Sequence, residues 1–104
     1  MSFANRLAQM QDEHIRLSVL RLLESQAGYH ANDSVLHQAV NQMALACTRD
    51  QMRGHLTWLE EQRLVTLAKP AETLIVATLT ERGAEVASGR SIVDGVQRPS
   101  PKGD

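Results

Sequence analysis

A chain of 104 residues with 42% apolar side chains has room for one domain and one core. Its 11 basic and 12 acidic residues leave a net charge of −1, which excludes the general basic excess of a strongly nucleic-acid-binding domain, so any basic surface must be local. The single cysteine, Cys47, excludes an internal disulfide and a cysteine-based zinc cluster.

The opening MSFANRLAQMQDEH has neither the charged region nor the apolar stretch of a secretory signal. No apolar run approaches the length of a membrane span. A cytoplasmic protein with no membrane partner is expected. Residues 3 to 26 contain no Gly or Pro and predict one long helix, with Phe3, Leu7 and Met10 at helical spacing and Ile15, Val19, Leu22 and Leu23 extending the stripe. Leu17 and Leu20 widen it in the second half, as expected of a helix central to the core or shared with a partner. Two arrangements of the first part are open: a dimerisation arm through Phe3, Leu7 and Met10, or a segment folded back over its own core.

Residues 26 to 33 (QAGYHAND) predict a loop in which Gly28 ends the first helix and Asn32 or Asp33 caps the next. A second helix is expected over 34 to 46, carrying Leu36, Val40 and Met43. Cys47 and Thr48 form a brief turn, and Thr48 caps a third helix over 49 to 62. Two short helices joined so tightly match the helix-turn-helix pattern. Residues 64 to 69 and 73 to 79 are rich in Leu, Val, Ile and Thr and predict a two-stranded hairpin around Pro70, Ala71 and Glu72. Thr80 caps a short fourth helix over 81 to 88 that Gly89 ends. The domain is therefore placed at 1 to 89. Residues 90 to 104 read as a flexible tail with Ile92, Val93 and Val96 as docking points.

Turning the third helix by about 100° per residue puts Met52, Leu56 and Leu59 on the core side with His55 at its edge. Asp50, Gly54, Thr57 and Glu61 point the other way, flanked by Arg49 and Arg53 on one side and Gln51 and Trp58 on the other. Arg49 and Arg53 suit phosphates or guanine edges, and Gln51 suits adenine. With Thr57, Arg63 and the hairpin's Lys69 they form the candidate DNA-binding set, backed by Arg90, Arg98 and Lys102 of the tail. A solvated helix face is the plainer alternative, and Asp50 and Glu61 oppose a phosphate backbone. Gly54 is unusual, since glycine inside a helix costs about 1 kcal/mol relative to alanine. Trp58 is expected to pack near the core boundary.

His14, His30, His37 and His55 show no metal-ligand spacing. Cys47 precedes a helix start, where a thiol can become acidic, but a structural thiol is the expected state. No phosphate loop, nucleophile elbow or paired catalytic carboxylates occur. No catalytic residue, metal or cofactor is expected, and no enzyme activity.

The segment RDQMRGHLTWLEEQRLVTL, followed by VATLTERGAEVASGR, resembles the winged-helix domains of the ArsR and MarR types of bacterial regulator. Over nearly the whole chain, through SFA, VLRLLE, GYHANDSVL and VDGVQRPSP, it more closely resembles small winged-helix proteins of Mu-like phages and prophages. That resemblance implies a phage or prophage setting and a winged-helix fold. One departure is Arg63, where the pattern WLEEQ-G-LV commonly has glycine. The expectation is an α+β winged helix-turn-helix with a long N-terminal helix, a two-stranded β-wing and a short C-terminal helix. Its expected function is binding duplex DNA as a homodimeric transcriptional regulator. The alternative is a protein–protein interaction module that does not bind DNA.

Overall fold

The computed structural model describes residues 2–100; Lys102, one of the tail cations, lies outside the described residues. Helix α1 runs Phe3–Ser25 and starts where Ser2 Oγ accepts the Asn5 N–H at 3.1 Å. Only its second half is buried, through Ile15, Leu17, Val19, Leu20 and Leu23. Its first half stands clear of the core, with Phe3 79%, Leu7 47% and Met10 62% exposed. Phe3, Leu7 and Met10 are thus not folded back over the core.

The loop expected over 26 to 33 is more ordered than its composition suggests. A 3-10 turn at Ala27–Tyr29 leads into a short strand, β1 (His30–Asn32). Helix α2 follows at Asp33–Gln42, capped by the Asn32 side chain, which accepts the Val35 N–H at 2.9 Å. Helix α3 is Arg49–Glu61, the hairpin strands are β2 (Val65–Ala71) and β3 (Leu74–Leu79), and α4 is Glu81–Ala87, capped by Thr80. The sheet is antiparallel in the order β1-β3-β2, so the two-stranded wing gains a third strand along its inner edge. Ala31 faces Ala77 on one side of β3, and Leu67 faces Ala77 on the other. The pairing of β2 with β3 is irregular between Ala68 and Ala71, where Pro70 has no N–H to give to a ladder. The hairpin closes more tightly than the sequence suggested, with Ala71 opposite Leu74 and only Glu72 and Thr73 between.

Helix α2 ends four residues before the expected boundary, and the reason is its C-terminal cap. Ala44 takes a left-handed conformation (φ 62°), its N–H bonds the Asn41 carbonyl, and the Leu45 N–H reaches back to the Val40 carbonyl at 3.0 Å. That is a Schellman motif, and it turns Leu45 into the core. Helix α3 ends the same way: Arg63 has φ 64°, its N–H bonds the Glu60 carbonyl, and the Leu64 N–H bonds the Leu59 carbonyl. Arg63 thus occupies a left-handed site, a conformation that favours glycine.

Residues 90–100 form no helix or strand, as expected, yet they do not hang free. Val93 and Val96 are buried in the core, while Ile92 is exposed. The Gln97 N–H donates to the Glu13 carbonyl of α1 at 3.2 Å. The core itself joins the second half of α1 to Leu36 and Val40 of α2, Met52, Leu56 and Leu59 of α3, Leu64, Val65 and Ala77 of the hairpin, and Val86 and Ala87 of α4.

Candidate nucleic-acid interface

The turn between α2 and α3 is held by side chains of α2. Asn41 Oδ1 accepts the Cys47 N–H at 3.3 Å, and the Cys47 carbonyl lies 2.8 Å from His37 Nε2. Helix α3 then opens on a full capping box. Thr48 Oγ1 accepts the Gln51 N–H at 3.0 Å, and Gln51 Oε1 accepts the Thr48 N–H at 2.8 Å. The Gln51 oxygen is therefore committed to the cap, and only its amide N–H groups remain for an outside partner. Asp50, Gly54, Thr57 and Glu61 are exposed. A β-carbon added at Gly54 would meet nothing within 4 Å. The outer face of α3 is uncovered. Thr57 turns its hydroxyl inward, donating to the Arg53 carbonyl at 3.0 Å.

Arg49 and Arg53 converge on a residue that the sequence offered only as an alternative cap. Asp33 is 0% exposed, the first residue of α2, and its side chain turns into the gap between α3 and the hairpin. Its Oδ2 accepts from Arg53 Nε at 2.7 Å and from Arg49 Nε at 3.2 Å, and its Oδ1 accepts the Ile75 N–H of β3 at 3.1 Å. Both guanidinium groups also donate through Nη2 to the Thr73 carbonyl at the hairpin tip, at 2.7 and 2.8 Å. Burial alone would raise the Asp33 carboxyl. The bonds from Arg53, the Ile75 N–H and Arg49 outweigh burial and lower it from 3.8 to about 2. Three elements meet at one ionised carboxylate, so the angle between α3 and the wing is fixed there.

Two further candidate cations, Lys69 and Arg63, lie on the wing and at the end of α3. Lys69 is exposed on β2. Arg63 is exposed at the end of α3, where its carbonyl accepts the Thr80 hydroxyl at 2.8 Å. Arg82, which the sequence reading passed over, reaches the same corner and donates through Nε to the Gln62 carbonyl at 3.1 Å. Only chain reversal at the hairpin brings it there. Glu60 is partly occupied, accepting the Leu67 N–H on the open edge of β2 at 2.9 Å, whereas Glu61 is exposed.

On its other flank α3 meets α1 and the C-terminal segment. The Arg16 guanidinium lies 4.2 Å above the Trp58 ring, donates through Nε to His55 Nδ1 at 3.2 Å and through Nη1 to the Gly95 carbonyl at 2.9 Å. Trp58 packs, as its position suggested. Gly95 has φ 97°, and a β-carbon there would stand 2.6 Å from the Trp58 ring, so no larger residue fits this contact. His55 Nε2 faces Asp12 Oδ1 at 3.5 Å. Burial and the Arg16 charge lower the His55 pKa against the opposing pull of Asp12. Burial and Asp12 push the Cys47 thiol up, away from the reactive thiolate range. Among the described residues, no three His, Cys, Asp or Glu side chains gather where they could hold a metal ion. No helix among them is long and apolar enough to cross a membrane.

Four helices on a three-stranded antiparallel sheet, with α3 running straight into a β-hairpin, define a winged helix-turn-helix domain. The fold is that of solved winged-helix regulators. RosR, in the complex hsRosR-S1, superposes with a TM-score of 0.61 at 12% identity, covering 70% of this chain and 63% of that one. AbsC, a MarR family transcriptional regulator from Streptomyces coelicolor, gives 0.56 at 22% identity over 81% of this chain and 61% of that one. The chain spans about three fifths of the length of these two structures. No family model matches it. In sequence it is 41% identical over 90 residues to the uncharacterized protein gp26 of Escherichia phage Mu, covering 86% of this chain and 92% of that protein. It is 39% identical over 101 residues to an uncharacterized protein of Haemophilus influenzae, covering 97% and 93%. The chain belongs to the family of phage Mu gp26.

Proposed function

We propose that this protein is a DNA-binding winged-helix regulator that acts as a homodimer in a phage or prophage setting. The observation that carries the reading is the open outer face of α3 between the exposed wing and the helix-turn-helix, unobstructed at Gly54. A helix in this position can enter the major groove with its N-terminus leading. Arg49 and Arg53 remain partly exposed, with side-chain exposures of 42% and 29%. The Gln51 amide and Thr57 lie along the same approach. Lys69 on the wing and Arg63 at the far end of α3 meet the flanking backbone. Phe3, Leu7 and Met10 supply the dimer contact through the free half of α1. The likeness to a MarR family regulator supports the same reading at the level of fold.

The competing reading is an interaction module that binds protein and not DNA. Asp50 and Glu61 on the exposed face of α3 and the net charge of −1 favour it. Fluorescence anisotropy with labelled random-sequence duplex, run from low to physiological salt, separates the two. On the DNA reading, binding falls in the micromolar range at moderate salt and weakens steeply as salt rises. Absence of binding at low salt would leave the protein-partner reading standing alone.

A further inference from the structure

We propose that Arg49 and Arg53 together form one phosphodiester site, preorganised by Asp33 and Thr73, that takes a single backbone phosphate of the duplex; this rests on the DNA-binding reading above. Both arginines use the same edge, Nε and Nη2, on the same two acceptors, Asp33 Oδ2 and the Thr73 carbonyl oxygen. Both guanidinium groups are therefore tied to the same pair of oxygens, and the Nη1 group of each is left over. Among the described residues those donors have no protein partner. The carboxylate behind them is 0% exposed, while the arginine side chains in front are 42% and 29% exposed, so a ligand meets the cations and not the anion. Two guanidinium charges on one carboxylate leave one uncompensated positive charge, which a phosphodiester, carrying one negative charge, cancels. The nearest acids in sequence, Asp50 and Glu72, are exposed and bond to neither arginine.

The same geometry selects phosphate over base edges. Reaching the groove floor would pull the side chains off Asp33 and leave a buried carboxylate unpaired. Arginines held through Nε and Nη2, with Nη1 left over, keep the guanidinium donors by which arginine recognises phosphate. The site therefore sets affinity and register and carries no sequence information.

The test compares the wild-type chain, Arg49→Ala, Arg53→Ala and the double variant against two unrelated duplexes by anisotropy over a salt series, with thermal melts as a folding control. Each phosphate contact contributes about 0.9 to the slope of log affinity against log salt. A shared site predicts a slope reduced by about 0.9 in either single variant, by the same amount in the double, and equally on both duplexes. Arg49→Ala leaves the shorter Arg53 pair intact; if Arg53→Ala, and with it the double variant, unfolds, an unchanged slope in Arg49→Ala overturns the site. An unchanged slope in the double variant overturns the site while leaving DNA binding standing. A reduction of about twice that size in the double variant means two separate phosphates and overturns the sharing. If the wild-type chain binds no duplex, the DNA-binding reading falls, and titration of the 15N-labelled chain with inorganic phosphate at matched ionic strength decides the site by itself. Movement of the Arg49 and Arg53 Nε–Hε signals together retains a phosphate site with a different source; no movement overturns it as well.

Discussion

Asp33 and Arg53 meet at 2.7 Å with the carboxylate 0% exposed, although they belong to different helices and stand 20 residues apart in the chain. This pair, with Arg49 beside it, decides how α3 sits against the wing. A buried carboxylate stripped of its cations, or cations stripped of their carboxylate, would leave the gap between α3 and β3 without its fastening.

Asp33→Ala is expected to destabilise the fold by about 3 kcal/mol, the usual scale for removing one partner of a buried ion pair. The pH dependence follows from the same group. Its folded pKa is lowered from 3.8 to about 2, so the stabilisation is fully present above about pH 4 and is lost as pH falls through about 2. The shift corresponds to about 2 kcal/mol. Urea melts of the wild-type chain and Asp33→Asn at neutral and acid pH check both. An acid limb of the same size in the two proteins would remove Asp33 as its cause.

His55 responds at higher pH and in the same direction. Its Nδ1 accepts from Arg16, so the neutral ring carries its proton on Nε2, toward Asp12. Protonating Nδ1 would set one N–H against another and place a second cation beside Arg16. Burial and Arg16 lower its pKa from 6.5. Its stabilisation is therefore present above pH 6.5 and is lost as pH falls through the lower folded value. His55→Gln should flatten the loss of stability that sets in as pH falls below 6.5. Because Arg16 also holds the Gly95 carbonyl, the protection of the residue 95–97 amides against exchange, measured relative to the intrinsic rate at each pH, should fall as His55 protonates in the wild-type chain.

Most helix starts were legible because a cap is a property of one side chain and its near neighbours. Asn32, Thr48 and Thr80 each accept the N–H three residues on. The helix ends were harder, since Ala44 adopts a left-handed conformation that its identity disfavours and that only the burial of Leu45 justifies. Strand β1 was hidden by its brevity: three residues cannot show alternation, and they become a strand because β3 offers a free edge. Asp33 was invisible as an anchor for a similar reason. A charged residue in a polar loop reads as solvated until cations from 16 and 20 residues further on arrive beside it. The arginines themselves were legible as candidate contacts, but not their attachment to one another through a shared carboxylate.

Arg63 combines a strained backbone with a candidate contact, so its replacement separates stability from binding. At φ 64° a residue with a β-carbon pays about 1 kcal/mol relative to glycine. Arg63→Gly is therefore expected to raise the melting temperature by a few degrees, about 5 °C for a domain of this size. On the DNA-binding reading it also lowers affinity and reduces the salt slope by about 0.9, the mark of one lost phosphate contact. A variant that is more stable and binds duplex unchanged would remove Arg63 from the interface while leaving its backbone strain established.

The free half of α1 offers the cleanest separation of assembly from folding. Phe3, Leu7 and Met10 stand at helical spacing on a projecting segment, 79%, 47% and 62% exposed, so charging them removes no contact from the domain's own core. On the homodimer reading two such stripes pack together, each covering the other about a two-fold axis. Leu7→Glu with Met10→Glu should then convert a dimer to a monomer in light scattering coupled to size exclusion. The melting temperature measured at low protein concentration should stay within about 2 °C of the wild-type value, as for surface substitutions generally. Duplex affinity should fall at the same time, because a monomer engages one half-site where a dimer engages two. A wild-type chain that elutes as a monomer at concentrations of about 100 μM, well above the micromolar dissociation constant at which association is worth about 8 kcal/mol, would assign the stripe to a partner other than a second copy. The loss of DNA affinity in the double variant would then have no dimer to act through, and the measurement of affinity alone would show whether the stripe touches DNA binding at all.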